Sequence, residues 1–216
     1  MHRRMMNLVL LVGAAIGLIV LAAGASAWRL PDNQQGYAPE QPIAYSHRLH
    51  AGELGIDCQF CHSAASRGHY AGIPSADVCL KCHKYVTSSF DRLQQELTQA
   101  DAEKRKPQLV ISDDLKPLYA ALRIEDPQQP VTDPRAGIPW VRVHHLPDYV
   151  AFDHRAHVAA GVTCQKCHGP VESMERIRQA EPLSMGWCVN CHREATEQGI
   201  NGHPVHASIN CSTCHY

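Results

Sequence analysis

Hydrophobic residues in this chain are concentrated at the N-terminus; further along they are sparse and separated by polar residues. An uncharged run of 24 residues, from Met5 to Trp28, follows the basic residues Arg3 and Arg4. As an α-helix, a run of this length measures about 36 Å, which exceeds the roughly 30 Å hydrocarbon core of a bilayer. The pattern therefore predicts a membrane-anchoring helix over residues 1–28.

The residues at the two ends of this run predict its orientation. Because Arg3 and Arg4 precede it, the positive-inside rule places the N-terminus in the cytoplasm. The rest of the chain then lies on the periplasmic side of the cell (inner) membrane, with Trp28 and Arg29 at the outer interface. A cleaved signal peptide is the alternative, because the small residues 25–27 fit a cleavage site. The run is longer than a usual signal-peptide core, which favours a retained single-pass anchor.

Residues 91–142 show a weaker pattern, in which one helix precedes many prolines. Apolar residues recur at helical spacing near its start, at Phe90, Leu93, Leu97 and Ala100. The charged run 101–106 that follows is typical of a solvent-exposed face. Up to residue 136, five prolines then interrupt any long element: Pro107, Pro117, Pro127, Pro130 and Pro134. We predict one amphipathic helix followed by an extended, proline-rich strap.

Composition adds two constraints to this picture. The 216 residues include 20 basic and 21 acidic side chains, for a formal net charge of −1. That balance argues against a nucleic-acid partner, because such binding surfaces carry a basic excess. Only three residues are Phe, whereas ten are Cys and fifteen are His. Side chains alone would form a thin core, so Cys and His are expected to bind something that helps to fill it.

All ten cysteines belong to five copies of the motif Cys-x-x-Cys-His, which is the attachment signature of c-type haem. The cysteines are Cys58, Cys61, Cys79, Cys82, Cys164, Cys167, Cys188, Cys191, Cys211 and Cys214. The histidines that complete the motifs are His62, His83, His168, His192 and His215. Two thiols on one helical turn can add to the two vinyl groups of a porphyrin, and the adjacent imidazole can bind its iron. The sequence predicts five covalently bound haem c groups.

Other roles for these cysteines explain the pattern less well. Zinc ribbons use Cys-x-x-Cys units in pairs, and five is an odd number. A thioredoxin-like site needs a single unit in a βαβ setting, which is not seen here. A disulfide framework would not place every cysteine at one spacing. Haems at this density would supply much of the core, so the predicted fold class is a mostly α and irregular multihaem cytochrome c with little or no sheet.

A second pattern, aromatic-x-His-x-x-His, occurs twice upstream of a haem motif. Its copies are Tyr45-x-His47-x-x-His50 and Phe152-x-His154-x-x-His157. The first copy is followed by two Cys-x-x-Cys-His units before the next copy, and the second copy is followed by three. This repeat divides the chain after the anchor into a first dihaem module at 29–90, a haem-free linker at 91–142 and a second module with three haems at 143–216.

The repeat resembles the class III multihaem cytochromes. In that family the first histidine of the pattern caps the haem of the following motif, and the second caps a neighbouring haem. The resemblance therefore implies His47 and His154 as sixth ligands of their own modules' first haems, and His50 and His157 as ligands of adjacent haems. For the fifth haem, His144 is the preferred sixth ligand. Met185, Met174 and His206 are the alternatives.

If every iron carries two protein ligands, no coordination position is open to substrate, and electron transfer is favoured over catalysis. Further residues bring the resemblance closer: Leu146-Pro147-Asp148-Tyr149-Val150, Met185-Gly186-Trp187-Cys188 and the terminal Cys214-His215-Tyr216. Together with the anchor and the haem count, they resemble the pentahaem cytochrome subunit of alternative complex III.

That resemblance implies an electron-transfer subunit with no catalytic residue of its own, working in a quinol:electron-acceptor oxidoreductase of a respiratory or photosynthetic chain. The implied partners are iron–sulfur and polytopic membrane subunits, with a periplasmic monohaem cytochrome or copper protein as acceptor. Two alternatives differ in kind. One is a stand-alone anchored quinol dehydrogenase feeding a periplasmic reductase. The other is a haem reductase of small oxyanions, which often replaces a motif His by Lys, and no Cys-x-x-Cys-Lys occurs here.

Overall fold

The computed structural model describes residues 2–27, 34–133 and 136–215. The positions predicted for Trp28, Arg29, Pro134 and Tyr216 lie outside the described residues. Over the described ranges the backbone forms nine α-helices and no extended strand, with two isolated antiparallel bridges, Val150 with His215 and Ile200 with His203. The prediction of a helical and irregular chain with little or no sheet is confirmed.

Helix α1, His2–Ala27, is the apolar N-terminal helix. Its stretch Arg3–Ala22 is long and apolar enough to cross a membrane, and none of it is buried against the rest of the chain. These properties are compatible with the predicted anchor.

The remaining helices are short and mostly centred on the haem motifs. They are α2, Cys58–Cys61; α3, Ala76–His83; α4, Phe90–Ala102; α5, Lys116–Leu122; α6, His154–Ala159; α7, Gln165–His168; α8, Met185–Gln198; and α9, Cys211–Cys214. A π-helix at Arg48–Glu53 and a 3-10 turn at Val171–Ser173 complete the order.

Polar side chains start several of these short helices. The Asp57 carboxylate accepts the Gln59 N–H at 2.8 Å ahead of α2, and Asp153 accepts the Arg155 N–H at 2.9 Å ahead of α6. Ser184 and Asn210 cap α8 and α9 in the same way. Such caps satisfy backbone donors that a four-residue helix cannot satisfy internally. They fix where each motif turn begins.

The main cluster of buried apolar residues lies in the middle of the chain. Leu118, Tyr119, Leu122 and Ile124 form it, and Cys79 and Leu80 of α3 pack against it. Helix α4 confirms the predicted amphipathic helix. The prediction of an extended strap was wrong over α5, because Pro117 occupies the first turn of that helix, where a missing N–H costs nothing.

Replacing Tyr119 by Phe tests how this cluster supports the second haem motif. The buried Tyr119 hydroxyl donates a hydrogen bond to the His83 carbonyl at 2.6 Å. Its removal leaves that carbonyl unpaired, so Tyr119→Phe is expected to lower the free energy of unfolding by about 1 kcal/mol. Chemical denaturation followed by far-UV circular dichroism measures the change. The same substitution at the exposed Tyr85 is the control, and an equal effect of both would contradict the prediction.

Residues before α2 are tied to residues after α7 by backbone hydrogen bonds. The buried Gln179 accepts the Gly36 N–H at 2.7 Å and donates its own N–H to the Tyr37 carbonyl at 3.0 Å. The Arg48 N–H donates to the Met174 carbonyl at 3.0 Å. These bonds join the two predicted haem modules directly, without involving the middle segment.

The two regions approach each other closely at Gly52. A Cβ at this position would overlap the backbone carbonyl oxygen of Glu172. The guanidinium of Arg48, in the same π-helix, pairs with Glu53 and with Glu175. The turn that carries His50 is therefore held against the 3-10 turn of the second module.

Candidate haem centres

Each Cys-x-x-Cys-His motif is folded as one helical turn. The motif histidine N–H donates to the carbonyl of the first cysteine, at 2.9 Å for His62, 3.0 Å for His168 and 2.9 Å for His215. This turn brings the two thiols to one side, with the imidazole beside them. All ten thiols are free. The donor set therefore fits the covalent attachment of c-type haem.

Three imidazole pairs have nearly the same separation between their ring centroids. Ring centroids are 6.1 Å apart for His50 and His83, 6.3 Å for His154 and His168, and 6.0 Å for His157 and His192. Two imidazoles that bind one metal through nitrogens about 2.0 Å away have centroids separated by roughly 6.3 Å. Each gap thus matches the space that one six-coordinate iron occupies.

The two aromatic-x-His-x-x-His segments have the same three-dimensional arrangement. The Tyr45 ring meets His47 edge-on at 4.9 Å and stacks on His50 at 4.5 Å. Phe152 does the same with its two histidines, at 4.8 Å and 4.7 Å. One aromatic ring in each copy fixes the angle between two imidazoles, so each copy presents them to two different motifs.

Backbone carbonyls set the tautomer of most of these histidines. A neutral imidazole that donates Nδ1–H to a carbonyl has its Nε2 lone pair free for a metal. The Nδ1 atoms and their carbonyl partners are His50 with Ser46 (2.9 Å), His62 with Gly72 (2.6 Å), His83 with Val86 (3.0 Å), His154 with His69 (2.7 Å), His157 with Asp153 (2.8 Å), His192 with Ser208 (2.6 Å) and His215 with Tyr149 (3.3 Å).

His69 has a role that sequence reasoning missed. Its carbonyl, in the first predicted module, accepts both the backbone N–H and the Nδ1–H of His154 in the second. Its own Nδ1 lies 3.7 Å from the Asp153 carboxylate. A backbone acceptor has no residue-type signature, so no sequence signal could have identified it.

His47 lies in a largely buried environment near His62. Its Nδ1 is buried and has no hydrogen-bond partner within the described part of the chain. Burial, followed by the proximity of His62 and His50, lowers the pKa of His47 to about 4. The imidazole is therefore neutral at physiological pH and available to a metal. Its assignment as the ligand opposite His62 stays a prediction.

His144 lies against His168, the histidine of the third motif. Its Nε2 is 3.2 Å from the His168 Nδ1, and the two rings meet edge-on with centroids 4.4 Å apart. Burial is the main cause that lowers the pKa of His144 to about 4 and that of His168 to about 3. Both rings are neutral, and His168 has His144 and His154 as ring neighbours.

The remaining sixth ligand, for which His144 is preferred over Met185, Met174 and His206, stays a prediction. The His215 ring lies 5.8 Å from the Tyr149 ring. Among the alternatives, Met174 is buried, with its Cε 3.5 Å from the Cβ position of Gly169, whereas Met185 and His206 are exposed. Met185 stands three residues before Cys188 and so lies on the same side of α8 as that cysteine.

Thiols of different motifs are close enough to influence one another. Burial raises the pKa of Cys58, and the Cys164 thiol, which is hydrogen-bonded to it, raises it further. Burial and then Cys82 raise the pKa of Cys61. Burial, and to a smaller extent the Cys61 thiol, raises the pKa of Cys79. Burial and the Cys191 thiol raise the pKa of Cys167 to about 11. Burial and the Cys214 thiol raise the pKa of Cys188. Each motif therefore has at least one other motif as a neighbour.

Comparison with known proteins agrees with haem attachment by the cysteines and histidines of these motifs. Residues 150–216, which include three of the motifs, match the family model described as cytochrome c7 and related cytochrome c. The chain is also 24% identical over 220 residues to the "Menaquinone reductase, multiheme cytochrome c subunit" of Nitratidesulfovibrio vulgaris strain Hildenborough, an alignment that covers 93% of this chain and 87% of the relative. The C-terminal part of the chain is therefore a cytochrome c7-like domain, and the chain along most of its length is similar to a multihaem cytochrome c subunit, a class of protein that binds haem c covalently.

Proposed function

We propose that this chain binds five haem c groups and relays electrons as a membrane-anchored subunit of a quinone oxidoreductase of the alternative complex III type. The observation that carries the proposal is the set of three imidazole pairs with centroids 6.0–6.3 Å apart. Haem c held there would supply one-electron redox centres whose irons are closed on both faces. Such centres suit electron transfer because no position is open to a substrate.

The residues support a continuous row of attachment sites. His47 and His50 lie on one turn and His154 and His157 on another, so each turn links two neighbouring sites. The Ala151 N–H donates to the Cys214 carbonyl at 2.8 Å, which places the last motif beside the second turn. With the thiol neighbours, this gives a proposed order that differs from the sequence order: Cys79/Cys82, Cys58/Cys61, Cys164/Cys167, Cys188/Cys191, Cys211/Cys214.

The row spans the two proposed modules, 29–90 and 143–216, and crosses between them at the Cys58–Cys164 contact. Each module carries the attachment sites of one part of the row. The proposed linker 91–142 packs against α3, which carries the attachment site at one end of the row. A fixed row of this kind can accept electrons at one end and donate them at the other. The chain thus carries electrons without performing chemistry on a substrate.

The assembly around the chain is also part of the proposal. Helix α1 would hold the row at the periplasmic surface of the cell membrane, with the N-terminus in the cytoplasm. The relative's name refers to a menaquinone reductase, which supports a quinone-linked complex. We propose iron–sulfur and polytopic membrane subunits as partners, quinol as the ultimate donor, and a periplasmic monohaem cytochrome or copper protein as acceptor.

Holoprotein isolated from membranes tests the haem assignment. We expect five haem c equivalents per chain by pyridine haemochrome assay, because each of five motif turns presents two thiols and an imidazole. Electron paramagnetic resonance should show low-spin signals from all five irons. Carbon monoxide should leave the spectrum of the reduced protein unchanged. Fewer than five equivalents, or a high-spin iron that binds carbon monoxide, would contradict the relay function.

Purification under mild detergent conditions separates the proposed complex from a stand-alone dehydrogenase. Iron–sulfur and polytopic subunits are expected to co-purify in fixed stoichiometry. Isolation of the chain alone, with quinol oxidation activity of its own, would instead support the stand-alone enzyme. Assay of the complex in both directions, with quinol plus an oxidised cytochrome and with quinone plus a reduced cytochrome, determines the direction of electron flow.

A further inference from the structure

The Nδ1 atom of His168 has a different kind of partner from its counterparts. Seven other predicted iron ligands direct Nδ1 at a backbone carbonyl. Among the ligands with an Nδ1 partner in the described residues, His168 is the one whose partner is a side chain, the His144 imidazole at 3.2 Å. This difference sets the third motif apart from the other four.

The segment that carries His144 is held firmly in place. The amide of Gln41 pairs with both the N–H and the carbonyl of Val141, each at 2.9 Å. Val143 is buried, and the Arg142 guanidinium donates from Nε to the His144 carbonyl at 2.9 Å. His144 therefore meets His168 from a fixed backbone, as a permanent neighbour.

Valence determines which ring donates in this contact. If the Nε2 lone pair of His168 binds iron, then its Nδ1 must carry the proton. His168 is then the donor, and the Nε2 of His144 is the acceptor. An acceptor at this position orients the ligand ring and increases its electron donation to the metal. More donation stabilises the oxidised form and lowers the reduction potential of that site.

We propose that His144 is a positioning residue for His168 and not an iron ligand: its imidazole accepts the Nδ1–H of the motif histidine, fixes that ring and lowers the potential of the site held by Cys164 and Cys167. This proposal rests on the proposed function, because it requires a haem at the third motif. It also means that the iron ligand opposite His215 is a residue other than His144. An imidazole whose Nε2 accepts the Nδ1–H of His168 is committed to that ring.

Substitution of His144 by Leu in the full-length holoprotein removes the acceptor and keeps most of the side-chain volume. We expect the reduction potential of one of the five haems to rise. At the original midpoint potential its reduced-to-oxidised ratio should increase about tenfold, which corresponds to about 59 mV for a one-electron couple. The other four couples should stay in place, with five low-spin haems. Potentiometric titration followed by visible absorbance and electron paramagnetic resonance resolves the couples.

Two further variants show whether the acceptor itself is responsible. His144→Gln places an amide oxygen near the position of Nε2, and it is expected to restore most of the original potential. His145→Leu removes an adjacent imidazole whose Nε2 lies 3.0 Å from the Arg142 carbonyl. No couple should move in that control. A purely structural role would give no rescue by Gln and would broaden all five couples.

A measurement on the unaltered protein does not depend on how the variants fold. In the reduced, diamagnetic holoprotein with ¹⁵N-labelled histidine, a nitrogen–nitrogen coupling across the hydrogen bond is expected between His168 and His144. Absence of this coupling would overturn the proposal. So would unchanged potentials in His144→Leu, or a new high-spin signal in that variant, which would make His144 an iron ligand. A wild-type protein with fewer than five low-spin haems would instead overturn the proposed function.

Discussion

Substitution of His157 by Met is expected to raise the reduction potential of one haem by on the order of 0.1–0.3 V. The centroids of the His157 and His192 rings are 6.0 Å apart, and the His157 Nδ1 donates to the Asp153 carbonyl, which leaves its Nε2 free for a metal. A thioether at this position favours the reduced iron more than an imidazole does. Potentiometric titration of the membrane-isolated holoprotein measures the shift.

The matched control for this substitution is His203→Met. His203 is exposed, and its contact with Ile200 uses the backbone alone. The control should leave all five couples unchanged, whereas His157→Met should also move one low-spin signal to the g-values of histidine–methionine ligation. If His157→Met left potentials and spectra as they are, the gap between His157 and His192 would not contain an iron.

Much of the candidate site could be predicted because its determinants are local in sequence. Each Cys-x-x-Cys-His run forms a helical turn, and the aromatic-x-His-x-x-His pattern brings its three rings together within six residues. Tyr45 and Phe152 accordingly make the same two contacts in both copies, to within about 0.2 Å. The ring contacts are therefore the same in both copies, although the first copy lies on a π-helix and the second on an α-helix.

What the sequence left undetermined depends on contacts between distant segments. The thiol contact between Cys58 and Cys164 spans more than a hundred residues. His144 and His168 are also far apart in sequence, and periodicity cannot distinguish a histidine behind a ligand from one opposite it. Helix α5 was missed for a different reason. Its proline was taken as a break, although a proline in the first turn is compatible with a helix.

The thin side-chain core makes individual backbone positions important for the haem sites. Buried apolar residues cluster around α5, whereas the imidazole pairs are held mainly by turns, caps and carbonyl hydrogen bonds. A substitution that shifts one turn therefore has few packed side chains to resist it. Stability and ligand geometry should be lost together at such positions.

Gly169, directly after His168, is the position where this coupling should be strongest. Its φ of 71° and ψ of −168° lie in a region that is essentially restricted to glycine. A Cβ here would stand 2.5 Å from the Cβ of Ala180. Backbone strain and overlap together are expected to lower the free energy of unfolding of Gly169→Ala by roughly 2–5 kcal/mol. Denaturant unfolding followed by far-UV circular dichroism measures this loss.

Gly186→Ala is the matched control, because it adds the same methyl group in helix α8 where no atom lies within 4 Å. There the alanine should stabilise the chain by up to about 1 kcal/mol through its higher helix propensity. In Gly169→Ala, the overlap with Ala180 should shift the backbone next to His168 and turn the His168 ring away from His154. The low-spin signal of the haem at the third motif should therefore weaken. Equal stabilities of the two variants, with unchanged low-spin signals, would show that the turn after the motif can relax without disturbing its histidine.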